Sequence, residues 1–204
     1  MLFNYTSGRY LYNERQRLSE PYLPFCIPAL KRAAALYAGY PNVSTSSISS
    51  SSSNGISIKK LAEGGFNHTF EITMPDNARV IARLPYPATV PKRYATASEV
   101  ATMELARRRG VPVPRVLGYS TTSTENENDV GAEYILMEKV DGVEVAGVWY
   151  SMTDEQRRWV VEQVVRIEAR LFDVALPACG SVYYARDLGP GMKRVELDGE
   201  EDGD

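Results

Sequence analysis

Between Ile56 and Leu84 the chain contains three short alternating runs, joined by turns that allow only antiparallel pairing. Ile56–Leu61 (ISIKKL) starts with apolar and polar positions in alternation, and Gly64-Gly65 breaks the run. Phe66–Thr73 (FNHTFEIT) alternates again, up to the turn signal Pro75-Asp76-Asn77. Arg79–Leu84 (RVIARL) is the third run, closed by Pro85 and Pro87. Parallel strands need a crossover of about a dozen residues or more. These runs therefore predict an antiparallel meander.

The pattern then alternates between helix and strand. Tyr94–Arg109 is expected to be a helix with Ala97, Val100, Ala101 and Leu105 on its apolar face. Gly110 sits where a left-handed cap belongs, and Pro112 and Pro114 prevent continuation. Arg115–Tyr119 and Glu133–Val140 are two further strands around the polar loop Ser120–Asp129. Thr153–Phe172 is the clearest helix. Thr153 and Gln156 fit a capping box, and Asp154 and Glu155 suit the positive helix end. Its stripe of Val160, Val164, Ile167 and Leu171 is expected to pack on a core. Ser181–Tyr184 reads as one more short strand.

Upstream, Pro24–Ala38 predicts a short helix, and Ser44–Asn54 (STSSISSSSSN) a flexible linker. The expected organisation is therefore an N-terminal appendage over 1–43, a serine-rich linker over 44–55 and an α+β domain from 56 onward. The chain carries 23 basic and 26 acidic side chains, but six of the acids lie in Val195–Asp204. Without that tail, 23 bases face 20 acids, which suits neither a nucleic-acid-binding polycation nor an acidic activator. Cys26 and Cys179 are far apart and offer neither a disulfide framework nor a zinc motif. No run of 18 apolar residues predicts a membrane span. The N-terminus lacks a hydrophobic signal core, and Glu14 among Arg9, Arg15 and Arg17 is unlike an acid-free presequence.

Strand, glycine turn, strand, turn, strand, helix, strand, strand, connector, long helix is the element order of a protein-kinase-like small lobe. The junctions agree with it: Gly64-Gly65 at the first turn, Val80-Ile81-Ala82-Arg83 on the third strand and Glu99 on the following helix. With KKLAEGGFNHTFEI, VIARLPYP, ASEVATMELARRRGVPVPRVLGYS, VGAEYILMEKVDG and GSVYYARDL, the chain resembles the aminoglycoside phosphotransferase-like family of small-molecule kinases. Within that family it is similar to the fungal branch of altered inheritance of mitochondria protein nine. The resemblance implies an α+β small lobe over 56–141, with a five-stranded antiparallel sheet and one helix. The start of a large lobe would follow over 142–188, with its long helix at 153–172, and then an acidic, disordered tail over 189–204. It also implies ATP, used with magnesium in the full-length family fold, a small-molecule hydroxyl as phosphoryl acceptor, and a mitochondrial location, the cytoplasm being the alternative.

The expected nucleotide-binding residues follow from those positions. Gly64 and Gly65 would bring backbone amides to the phosphates, with Asn67 next after Phe66 as a further member of the site. Arg83 stands in place of the usual lysine as a permanent planar cation, oriented by Glu99. By resemblance, Phe66 and Ile81 help cover the base, Met137 ends the buried part of the hinge strand, and Glu138 to Val140 supply backbone donors and acceptors. His68, the one histidine, is expected to point outward from its strand.

Phosphoryl transfer also needs a residue to position the nucleophile, and metal ligands. No histidine follows His68, so the H-x-D-x-x-x-x-N loop has no counterpart. Ala185-Arg186-Asp187-Leu188 mimics its start, but Met192 stands where the loop needs asparagine. Asp187 is therefore expected to be structural, and the chain to stop short of the catalytic machinery and be inactive by itself.

Overall fold

A computed structural model of the chain describes residues 2–6, 8, 10–42, 55–124 and 128–197. The expected serine linker, apart from Gly55, and the tail beyond Leu197 lie outside those residues. Five strands form one sheet: β1 (Ser57–Glu63), β2 (Asn67–Thr73), β3 (Arg79–Pro85), β4 (Val116–Ser120) and β5 (Tyr134–Glu138). The spatial order is β1-β2-β3-β5-β4, and every neighbouring pair is antiparallel. The β2–β3 turn forms as its residues require. Asn77 takes a left-handed φ of 67°, and the Asp76 carboxylate accepts from the Ala78 amide at 3.0 Å.

Helices cover both faces of the sheet. The helices α1 (Glu14–Ser19) and α2 (Ile27–Tyr37) precede it, and α3 (Tyr94–Arg108) lies between β3 and β4. Val100 of α3 packs on Ile135 and Met137 of β5, with Ile81, Met103 and Val116 around them. The α3 terminus is closed by Gly110 at φ 77°, with the Val111 amide reaching back to the Ala106 carbonyl at 3.0 Å. On the opposite face Phe70, Ile72, Val80, Ala82, Leu84 and Leu136 meet Leu23, Phe25, Leu30 and Ala34. The N-terminal segment set apart as an appendage is thus one layer of the main core. A serine-rich connection does not prevent the helix it carries from folding back onto an uncovered apolar sheet face. The contact is close at Gly118, where a Cβ would collide with the Tyr37 ring.

Three further expectations are corrected. His68 does not point outward; it lies on the core face of β2 with Phe70 and Ile72, fully buried. The long helix α5 (Asp154–Phe172), which follows the short α4 (Val145–Val148), forms as expected, but its stripe is not in a core. Val161, Val164, Val165 and Leu171 are about half exposed, and no residue of α5 is buried. Ser181–Tyr184 forms no strand.

The α5 capping box is present in both directions. The Gln156 amide donates to the Thr153 hydroxyl at 3.3 Å, and the Thr153 amide donates to the Gln156 side chain at 2.9 Å. Thr153→Ala is expected to cost about 0.5–2 kcal/mol of helix stability. Faster amide exchange over residues 154–157 would show it, and unchanged exchange would contradict it.

Candidate functional site

Strand alternation sends Ile81 and Arg83 to the α3 face of the sheet, away from Val80, Ala82 and Leu84. Glu99 faces them from the second turn of α3. Arg83 Nη1 donates to Glu99 Oε1 in a partly buried ion pair. Asn67 is opposite Pro85 and Thr69 opposite Arg83, so Asn67 is the diagonal neighbour of Arg83 on the same face. With its carbonyl turned to the guanidinium, Asn67 Oδ1 accepts from Arg83 Nη2 at 3.1 Å and from Nε at 3.0 Å. That orientation is assigned because it alone satisfies both groups. Three of the five guanidinium N–H groups are thereby engaged. Two remain, on a side chain 37% exposed.

The glycine turn adjoins this cluster through Asn67. The Gly64 amide donates to the Asn67 carbonyl at 2.9 Å and so closes the base of the turn. That amide is therefore occupied. Gly65 stands open: a Cβ there would meet nothing within 4 Å. Phe66 is 72% exposed and lies outside the apolar cluster that holds Ile81, so the structure does not bring the two together as cover for a base.

On the hinge strand Tyr134 to Met137 are buried and Glu138 is half-buried, which places Met137 last in the buried run. Ile81 and Met137 belong to one apolar cluster with Val100. Glu138 is tied to the segment before β4. Its amide donates to the Arg115 carbonyl at 2.9 Å, and its carboxylate accepts from the Arg115 amide at 2.8 Å and pairs with Arg107 at 3.4 Å. Val140 is exposed beyond the strand. Asp187 accepts from the Tyr119 hydroxyl at 2.8 Å, and Arg186 lies over the Tyr184 ring. Burial pushes the Tyr119 phenol up to about 12, so it remains a donor to Asp187 at ordinary pH.

Three residues around the site were not singled out from the sequence. Tyr86 and Thr89 bond to the glycine turn: the Tyr86 hydroxyl to the Gly64 carbonyl at 3.0 Å, and the Thr89 hydroxyl to the Phe66 carbonyl at 2.9 Å. The signal available was Pro85-Tyr86-Pro87, an aromatic fixed between prolines directly after β3. Glu133 is buried and caps α3, accepting from the Arg93 amide at 3.0 Å and the Thr96 hydroxyl at 2.6 Å. Its partners lie about forty residues away, so no local pattern marked it. Among the described residues no group of three or more His, Cys, Asp or Glu side chains could hold a metal ion, and no helix is long and apolar enough to cross a membrane.

Comparison with known proteins bears on this arrangement. The family model described as "Phosphotransferase enzyme family" matches residues 57–198. A subtelomeric hrmA-associated cluster protein of Aspergillus fumigatus is 48% identical over 132 residues, 64% of this chain and 25% of that protein. An altered inheritance of mitochondria protein 9, mitochondrial, of Saccharomyces cerevisiae is 27% identical over 146 residues, 67% of this chain and 23% of that protein. The protein of the same name in Meyerozyma guilliermondii is 27% identical over 137 residues, 65% of this chain and 22% of that protein. The chain spans about a quarter of the length of the curated relatives it matches.

Proposed function

The chain belongs to the phosphotransferase enzyme family, and on that premise we propose that its five-stranded sheet and α3 form the nucleotide-binding lobe of an ATP-dependent small-molecule kinase. The observation that carries this reading is the Arg83 cluster. Glu99 and Asn67 hold the guanidinium from two elements beside an open glycine turn, leaving two N–H groups for phosphate oxygens. Holding the fork in place before the ligand arrives lowers the ordering cost of binding. The Gly65 amide adds a donor, while Gly64 is occupied within the turn. Ile81 and Met137 would form the apolar wall for adenine, with backbone groups of Glu138 to Val140 at its edge.

The acceptor is a small-molecule hydroxyl. Magnesium supplies charge neutralisation to phosphates when bound, but the described residues do not fit a metal site, and no step is assigned to it. No residue here matches the loop that positions the acceptor hydroxyl, so this stretch by itself binds nucleotide without turnover. The relatives named as mitochondrial support a mitochondrial location, with the cytoplasm as the alternative.

Arg83→Ala is expected to weaken binding of a fluorescent ATP analogue by about 1.5–3 kcal/mol, the range for hydrogen bonds to charged groups. Glu99→Gln should cost less, because the cation stays and only its orientation suffers. Titration of the purified variants checks both. Unchanged affinity in Arg83→Ala would remove the nucleotide reading and favour a non-catalytic binding or assembly protein.

A further inference from the structure

We infer that Tyr86 is a positioning residue whose hydroxyl, together with Thr89, holds the glycine turn in the shape that receives phosphate. The inference rests on the nucleotide reading above. The turn has little of its own to fix it. Gly64 and Gly65 are exposed and have no side chains, and the one bond across the turn, from the Gly64 amide to the Asn67 carbonyl, ties only its base.

The remaining anchors come from the segment after β3. The Tyr86 amide donates to the Phe66 carbonyl at 2.8 Å and the Tyr86 hydroxyl to the Gly64 carbonyl at 3.0 Å. The Thr89 hydroxyl donates to the same Phe66 carbonyl at 2.9 Å, and the Thr89 amide to the Tyr86 carbonyl at 2.9 Å. Two turn carbonyls are thus drawn toward residues 86–89. In a trans peptide the carbonyl and the following amide point in opposite directions. Anchoring the Gly64 carbonyl therefore aims the Gly65 N–H away from Tyr86, to the side a phosphate can reach.

Tyr86 can serve as an anchor because it is itself immobilised. It is 6% exposed, and its ring stands edge-on to His68 with centroids 4.8 Å apart. His68 is fully buried, with its ring packed against both Tyr86 and Phe70, so it acts as a packing wall. Burial and the nearby Lys60 charge hold its pKa down, which keeps it neutral. Burial also pushes the Tyr86 phenol up to about 12, so it stays protonated and able to donate.

Tyr86→Phe tests this, because it keeps the ring against His68 and removes only the hydroxyl bond; Thr89→Val is the second variant. Amide exchange is measured for each across the turn (residues 63–67) and in β3 and β5, and affinity is measured with a fluorescent ATP analogue. Turn exchange should rise and affinity fall, each by about two- to tenfold, the equivalent of one neutral hydrogen bond. Exchange in β3 and β5 should be unchanged. Unchanged turn exchange in both variants overturns the inference, and so does a loosened turn with undiminished affinity. If the unaltered chain binds no nucleotide, the nucleotide reading fails separately. The anchor is then judged by exchange alone: faster turn exchange sustains it and unchanged exchange overturns it.

Discussion

Leu30→Ala is expected to destabilise the protein by about 2–5 kcal/mol, the range for a buried leucine truncated in a core that relaxes only partly. Leu30 lies on α2 with none of its surface exposed, in one cluster with Leu23, Phe25, Phe70, Ile72 and Leu84. The truncation leaves a cavity between helix and sheet. Because a domain is typically stable by about 5–15 kcal/mol, the loss is a large part of the total. Leu11→Ala, at a fully exposed position, should stay within about 0.5 kcal/mol. Urea unfolding of the two variants separates an integral α2 from a detachable one. If Leu30→Ala unfolds at the same urea concentration as the unaltered chain, α2 is not part of the cooperative core.

Alkaline pH should produce the second large effect. Tyr86 and Tyr134 are each 6% exposed, and burial pushes both phenols from an ordinary 10.0 up to about 12. Between these values the unfolded chain has released both protons while the folded chain retains them. Stability is therefore fully present below pH 10 and is lost as pH rises through 12. A two-unit difference corresponds to about 2–3 kcal/mol for each tyrosine. Because burial also pushes the Tyr119 phenol up to about 12, Tyr134→Phe should flatten the loss by up to about a third, one hidden ionisable group having been removed. Melting temperatures from pH 8 to 12 for the unaltered chain and the variant check this. Parallel curves would contradict it.

Much of the architecture was legible in sequence because it depends on local patterns. Alternation within β2 and β3, the Asp76-Asn77 turn, Gly110 after α3 and the Thr153–Gln156 box each involve residues within a few positions of one another. The Arg83–Glu99 pair was legible through the resemblance to the kinase-like element order, in which the third-strand cation pairs with a glutamate of the following helix, and the structure forms it. His68 was misread from its local pattern. Its polar neighbours Asn67 and Thr69 suggested an exposed position, but adjacent strand residues face opposite sides. Its true companions are Phe70 and Ile72, two and four residues on.

What the sequence determined by itself is the order of the strand and helix segments from β1 to β5, the antiparallel pairing of β1, β2 and β3, and which residues share a strand face. These follow from short-range sterics and from turns too short to permit any other pairing. Only the tertiary structure decided which surfaces those faces meet. It placed α2 on the Phe70 face, left the apolar stripe of α5 half exposed, and set Tyr86 under the glycine turn. These outcomes depend on which apolar surfaces are available to cover one another across long stretches of chain. Apolar burial is non-directional, so a stripe shows that it can be covered without specifying its partner.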